Sequence, residues 1–235
     1  MNIISLFAPI RSFLALGGPV VAILAIISVI SLALILLKLT GFGHARIGQT
    51  SRARHAIALY RQGKAAEAEA YAAKGRSGAA QAVALALAMQ RDTRFSKTQI
   101  EEEIARFATE HLHKHQSGFR FLDAVVQIAP LLGLFGTVLG MIEAFQKLQQ
   151  AGNSVDPSIL AGGIWVALLT TAAGLAVAMP VSVILTFLEQ RLENDRVAIE
   201  TLATEVLAPQ LPSISGANSN ADGSARLSGQ AAHAY

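Results

Sequence analysis
The stretch Ala129-Pro-Leu-Leu-Gly-Leu-Phe-Gly-Thr-Val-Leu-Gly-Met-Ile-Glu143 decides how this chain is built. It lies in a run with no charged residue between Asp123 and Glu143, about the length a helix needs to cross a bilayer core. Gly133, Gly136 and Gly140 recur at three and four residues and so share one helix face. Gly136 and Gly140 form a G-xxx-G pair, which lets another helix backbone come close. Thr137 falls on the same small face and is the only hydroxyl in the stretch. The pattern describes a membrane helix with one face shaped for a partner and one polar group placed there. Plain helix packing, with Thr137 bonded back to its own backbone, would give the same pattern.

Two further uncharged runs flank this one. The first extends from Phe13 to Leu37 and ends at Lys38. It is longer than the apolar region of about 7–15 residues in a signal peptide, so it reads as a membrane span. The third begins at Asp156-Pro157, a helix start with Asp as N-cap and Pro in the first turn, and extends to Phe187. Within it Gly163, Ala167, Thr170, Thr171, Gly174 and Ala178 lie largely on one face. Pro130 and Pro180 are each expected to kink a helix, because proline removes a backbone donor. The fold class expected is an all-α integral membrane protein. Its parts are an interfacial N-terminal segment (1–16), a first span (17–39), a soluble helical domain (40–121) and a second span (122–146). A short loop (147–157), a third span (158–188), a C-terminal helix (189–211) and a disordered tail (212–235) complete it.

The composition agrees. Of 235 residues 52% are hydrophobic and only 15% charged, against about a quarter in soluble domains. Cysteine is absent, which excludes disulfides and thiolate chemistry. Aromatics are 6% and do not interleave with the basic residues, so no nucleic-acid partner is implied. No nucleophile–base pair, phosphate loop or metal set is present, so no enzyme activity, cofactor or bound metal is expected.

The soluble part is alanine-rich and helical in pattern. Ala56 to Tyr71 reads as helix, Gly63 turn, helix, like one tetratricopeptide hairpin without neighbours to form an array. A helix over 79–90 follows, then overlapping capping boxes at Ser96–Gln99 and Thr98–Glu101. Ile100, Ile104 and Phe107 stripe the next helix, which is expected to run on toward the second span with an interruption at Gly118. His111 and His115 share its face at i, i+4, with His113 pointing away. Without a carboxylate or thiolate nearby they make an incomplete metal site, and a solvated face is expected. After the third span, Leu188, Leu192, Ile199, Leu202 and Val206 keep an apolar seam, with charges from Glu189 to Glu205 on the other side.

Charge sets the orientation. Of the 19 Lys and Arg, 14 lie between Lys38 and Arg120. The positive-inside rule places that segment and the C-terminus in the cytoplasm, with the N-terminus and the loop after Lys147 outside.

Three stretches together resemble the MotA/TolQ/ExbB proton-channel family, in its ExbB/TolQ-like branch. Gly17-Gly-Pro-Val20 resembles the approach to that family's first span, and Pro130 to Phe145 is similar to its second nearly throughout. Leu160-Ala-Gly-Gly-Ile-Trp-Val-Ala-Leu-Leu-Thr-Thr-Ala-Ala-Gly-Leu-Ala-Val-Ala-Met-Pro180 resembles its third. The resemblance implies a homo-pentamer around a dimer of a single-span ExbD/TolR-like partner in the central pore. It also implies a TonB/TolA-like energy transducer and a place in the bacterial inner membrane. Proton flow, with Na+ as the open alternative, would drive movement of the partner and energise an outer-membrane process. Thr137 and Thr171 correspond to the family's pore-facing threonines, and Thr170 is expected to line the pore beside them. Many members carry glutamate where this chain has Val166.

None of the three runs contains an internal Asp, Glu, His, Lys or Arg. Proton transport through hydrocarbon needs a titratable carrier or a wet polar path. A carrier must therefore come from another subunit, with Thr137, Thr170 and Thr171 solvating it. Glu143 suits either a cation-attracting pore mouth or a carboxylate reaching the headgroups. A non-conducting homo-oligomeric scaffold in the lipid bilayer is the alternative from another class.

Overall fold
The computed structural model describes residues 3–150 and 157–208, with side chains from residue 18 onward. The Asp156 cap and the disordered tail expected at 212–235 lie outside the described residues, as do the side chains of the segment 1–16 expected to lie along the surface. The described residues form seven helices: α1 (Ile3–Ala45), α2 (Ser51–Arg61), α3 (Ala65–Ala73), α4 (Gly78–Arg91), α5 (Lys97–Gln116), α6 (Phe119–Gln150) and α7 (Pro157–Leu207). Three are long and apolar enough to cross a membrane: α1 from Gly18, α6 and α7.

The helix boundaries follow local chemistry. Gly63, at φ 81°, turns α2 into α3, and Gly118, at φ 82°, separates α5 from α6; left-handed backbone suits a residue without Cβ. Of the two overlapping capping boxes the chain uses the first. The Ser96 N–H donates to Gln99 Oε1 at 2.9 Å, and the Gln99 N–H donates to Ser96 Oγ at 3.3 Å. Kinks are expected at Pro130 and Pro180. Both prolines sit inside helices that continue on either side, and the non-helical backbone is at Gly18, with φ 62° and ψ −161°. The cause is Pro19, whose ring disfavours α geometry in the residue before it.

The two longest helices meet along one seam of small residues. The register is antiparallel. A Cβ added at Gly174 would stand 2.5 Å from the Ala129 carbonyl oxygen, and one at Gly133 would stand 3.1 Å from Thr171 Cα. Farther along, a Cβ at Gly140 would meet Ala167 Cβ at 3.2 Å, and one at Gly163 would meet Ala144 Cβ at 2.2 Å. The face that the sequence reserves for a partner is thus covered by the next helix of the same chain. Lipid tails are as apolar as leucine, so this contact gains little from the hydrophobic effect and relies on close van der Waals fit.

α7 is about 75 Å long at 1.5 Å per residue, far more than a bilayer core. Its second half therefore leaves the membrane as the axis of the soluble domain. There α2, α4 and α5 pack against it, with α3 behind α2 and α4; the core is rich in alanine, including Ala53, Ala56, Ala82, Ala86 and Ala203, which lets helices come close.

Gly174 and Gly162 make a matched pair for testing the seam. Gly174→Ala puts its methyl against backbone that cannot swing away, and should cost about 1–3 kcal/mol. Gly162 has nothing within 4 Å of a built Cβ, so Gly162→Ala should be neutral or mildly stabilising through helix propensity. Thermal unfolding midpoints of the detergent-solubilised full chain should fall for the first and hold or rise for the second.

Candidate functional site
The polar groups within the spans are few, and the seam arranges them. Thr170 is 2% exposed and pressed against Gly136; a Cβ there would lie 2.6 Å from its hydroxyl. Its Oγ1 donates to Ala167 O at 2.7 Å and lies 3.2 Å from Gly133 O. Thr170 is expected to line a pore; within the single chain its hydroxyl lies between α6 and α7, at the inner end of the groove between α1, α6 and α7.

Thr171 and Thr137 are only half-buried, at the rim of the seam. Thr171 Oγ1 donates to Gly133 O at 3.4 Å. Thr137, one helical turn beyond Gly133, donates to Leu134 O at 2.6 Å. Gly133 is the meeting point: its missing side chain admits the α7 backbone, and its carbonyl faces the hydroxyls of Thr170 and Thr171. Around this rim, Leu131, Leu134, Val138 and Leu168 face outward.

Glu143 is exposed near the end of α6 and is paired with Lys147 at 2.8 Å, one turn away. It also edges a groove of about 560 Å³ between α1, α6 and α7. The groove begins at Gly18 and Pro19, passes Glu143, Lys147 and Ser158, and reaches Gly136 and Thr170. Val166 stands on its wall. Thr137 and Thr171 are not among the groove's walls.

A second polar cluster lies in the soluble domain and is absent from the sequence reading. Asp195 of α7 is fully buried. Its Oδ1 accepts the Gly48 N–H at 2.8 Å and its Oδ2 lies 3.2 Å from His111 Nε2. The His115 ring stands 4.6 Å from that of His111, and its Nδ1–H donates to His111 O at 2.8 Å. Two expectations are corrected here. His111 and His115 are half-buried, with only His113 on a solvated face, and Asp195 is not on the charged side of its helix. A signal was present: Asp195 sits three residues after Leu192 and four before Ile199, on the apolar seam itself. Among the described residues no group of three or more His, Cys, Asp or Glu is placed to hold a metal ion.

A model of the MotA/TolQ/ExbB proton channel family matches residues 74–201. This chain belongs to that family. The match runs from the end of α3 across α6 and most of α7, so it includes both the seam and the Asp195 cluster. The biopolymer transport protein exbB1 of Vibrio cholerae is 44% identical over 86 residues, 37% of this chain and 38% of that protein. The biopolymer transport proteins ExbB of Salmonella typhimurium and Neisseria gonorrhoeae are 33% identical over 93 residues and 37% over 79. These cover 40% and 34% of this chain. The chain thus spans little more than a third of the length of these relatives, 38% and 36% for the latter two. The similarity is to the ExbB-like branch of the MotA/TolQ/ExbB family.

Two outcomes are expected of the buried cluster. Asp195→Ala leaves a buried N–H and His111 without their acceptor and should cost about 2–5 kcal/mol. Glu200→Ala removes only an exposed partner of Arg196 and should leave the unfolding midpoint unchanged.

The second outcome concerns pH. Burial holds the His115 imidazole below its ordinary value of 6.5, helped by the positive fields of His111 and Lys114 and opposed by its bond to His111 O and by Asp195. From α1, the Lys38 ammonium also bonds to His115 O. The unfolded chain therefore takes up a proton near pH 6.5 that the folded chain resists. This contribution to stability is intact above about pH 6.5 and is lost as pH falls below it. Midpoints measured from pH 7.5 down to 5.5 should drop less steeply in His115→Gln than in the parent.

Proposed function
We propose that this chain is the channel-forming subunit of a proton-driven motor in a bacterial inner membrane. Five copies would surround a dimer of single-span ExbD/TolR-like helices, and a TonB/TolA-like transducer would carry the resulting movement to an outer-membrane process. The observation that carries this reading is the seam's rim. Two hydroxyls, Thr137 and Thr171, adjoin Gly133 at membrane depth in a chain of a proton channel family whose own spans hold no internal titratable group. A charge at that depth is expensive without a polar environment. The partner would supply the carboxylate that takes up and releases the proton, while the two hydroxyls and the waters they hold lower its desolvation penalty. A membrane potential contributes about 2.3 kcal/mol per charge per 100 mV, so a few kcal/mol at the rim governs rate. Glu143 and Lys147 would stand at the outer end, the soluble domain and C-terminus in the cytoplasm. The ion is taken as H+, and Na+ is the alternative.

A non-conducting scaffold is the second reading. The observation favouring it is that both rim hydroxyls donate to backbone carbonyls, as in a static packing contact. The two readings separate in proteoliposomes containing this chain with its partner, with a pH-sensitive dye inside. Thr137→Val and Thr171→Val should each lower proton flux about ten-fold or more, the effect of losing a hydrogen bond to a charged group. Assembly should stay normal by size. Normal assembly with unchanged flux in both variants would discard the conducting role of the rim.

A further inference from the structure
At the opposite end of α1 from the Gly18 break lies a cleft that the motor reading does not use. It has a volume of about 310 Å³, near the lower end of the usual 300–1,000 Å³ for small-ligand sites, and lies between α1 and the α5–α6 junction. Lys38, Lys114, His115 and Ser117 form its polar walls, and Leu34 and Leu37 form its apolar edge. No acidic residue lines it. Lys38 is the first charge after the apolar run, and the distance from Pro19 to Lys38 is about 30 Å along a helix, one hydrocarbon thickness. With Gly18 and Pro19 at one interface, the cleft stands at headgroup depth on the other, on the side of the soluble domain.

We propose that this cleft binds the phosphate-bearing headgroup of an anionic phospholipid from the leaflet on the side of the soluble domain. The Lys38 ammonium is already held in place. Its Nζ donates to His115 O at 3.1 Å and to Ser117 Oγ at 3.0 Å, and it lies 5.8 Å from the Phe119 ring centroid. One N–H remains for a ligand. Neither Lys38 nor Lys114 has an ion-pair partner among the described residues. Two cations without a counter-charge at the edge of hydrocarbon call for an anion. Leu37 is 68% exposed and offers an acyl chain a surface continuous with the outer face of α1.

A neighbouring cleft serves as an internal contrast. It lies between the α5–α6 junction and α7, has a volume of about 880 Å³, and shares Ser117 and Gly118 with the first. Its walls carry Asp123, Glu189 and Glu193 against Arg120. Near the same depth, the two sides of the junction thus present opposite charge. An anionic headgroup is drawn to the α1 side and repelled from the α7 side, so the assignment is specific to one cleft rather than a general attraction of a basic domain.

The test uses native mass spectrometry of the full chain in neutral detergent, with phosphatidylglycerol or chain-matched phosphatidylcholine added. The parent should retain phosphatidylglycerol in preference to phosphatidylcholine. Each lysine near an anionic surface is worth about a five-fold change in affinity. Lys114→Gln should therefore weaken phosphatidylglycerol about five-fold, and Lys38→Gln with Lys114→Gln about 25-fold, with phosphatidylcholine unchanged. Lys114 is exposed and outside any ion pair, so its variant tests the site without disturbing the fold. Lys97→Gln, at the far end of α5, should behave as the parent. Equal retention of the two lipids by the parent, or an undiminished preference in Lys114→Gln, overturns the proposal. Displacement of phosphatidylglycerol by excess inorganic phosphate overturns the lipid and leaves a free-anion site.

Discussion
The close approach of the α6 and α7 backbones constrains everything else in the membrane part of this molecule. Inside lipid a helix pair gains nothing from hiding apolar surface, so it must gain from contact. Gly133, Gly136, Gly140, Gly163 and Gly174 are where that contact is made, because at each a Cβ would meet the opposite helix closer than about 3.3 Å. Once the seam is fixed, the remaining faces have no freedom. Bulky residues such as Phe135 and Trp165 turn outward, Thr170 is enclosed, and Thr137 and Thr171 come to the edge. The polar rim is therefore a by-product of backbone packing: its position is set by glycines that carry no chemistry.

How much of this is legible in the sequence depends on the residue. The three spans follow from uncharged length, and the small face of α6 follows from helical periodicity. What covers that face does not, since a glycine stripe states how near a partner comes and not whose partner it is. The adjacent Thr170 and Thr171 show the same limit. They are 100° apart on the helix, and the register of the seam decides that 170 goes in and 171 stays at the rim. The break at Gly18 is legible through Pro19, which disfavours helix geometry in the residue before it. Asp195 was hidden by its type. Its spacing places it on the apolar seam, yet a carboxylate surrounded by other charges is naturally assigned to solvent.

The Asp195 cluster shows a second principle at work where water is available. Its carboxylate ties the α1–α2 connection, through the Gly48 N–H, to α7, and His111 ties α5 to the same atom group. A buried charge of this kind adds little net stability, because desolvation offsets most of the attraction. What it supplies is a unique arrangement: an alanine-rich core can slide, and a carboxylate that must keep two donors cannot. α7 runs unbroken from the seam to this cluster, so the part of the helix that packs beside Gly133 and the part held by His111 belong to one rod. Any rotation of α7 at membrane depth reaches the soluble helices without passing through a loop.

The state of the rim hydroxyls has a further consequence for chemistry. A carbonyl oxygen can only accept, so Thr137 and Thr171 must have their protons pointed at Leu134 O and Gly133 O. In that state each hydroxyl offers only lone pairs to whatever lies beside it. Lone pairs suit a group that carries a proton, such as a neutral carboxylic acid or a water, and give nothing to a bare carboxylate. To solvate the anion, a hydroxyl must rotate and give up its backbone bond, which is a small and reversible exchange because the carbonyl keeps its own helix partner. A rim of this kind can therefore favour the protonated acid in one rotamer and the ionised acid in the other. A valine in place of either threonine keeps the shape and removes both options, and a titratable side chain in its place would add a fixed charge beneath the hydrocarbon. The hydroxyl is the one small group that serves both protonation states at the same position.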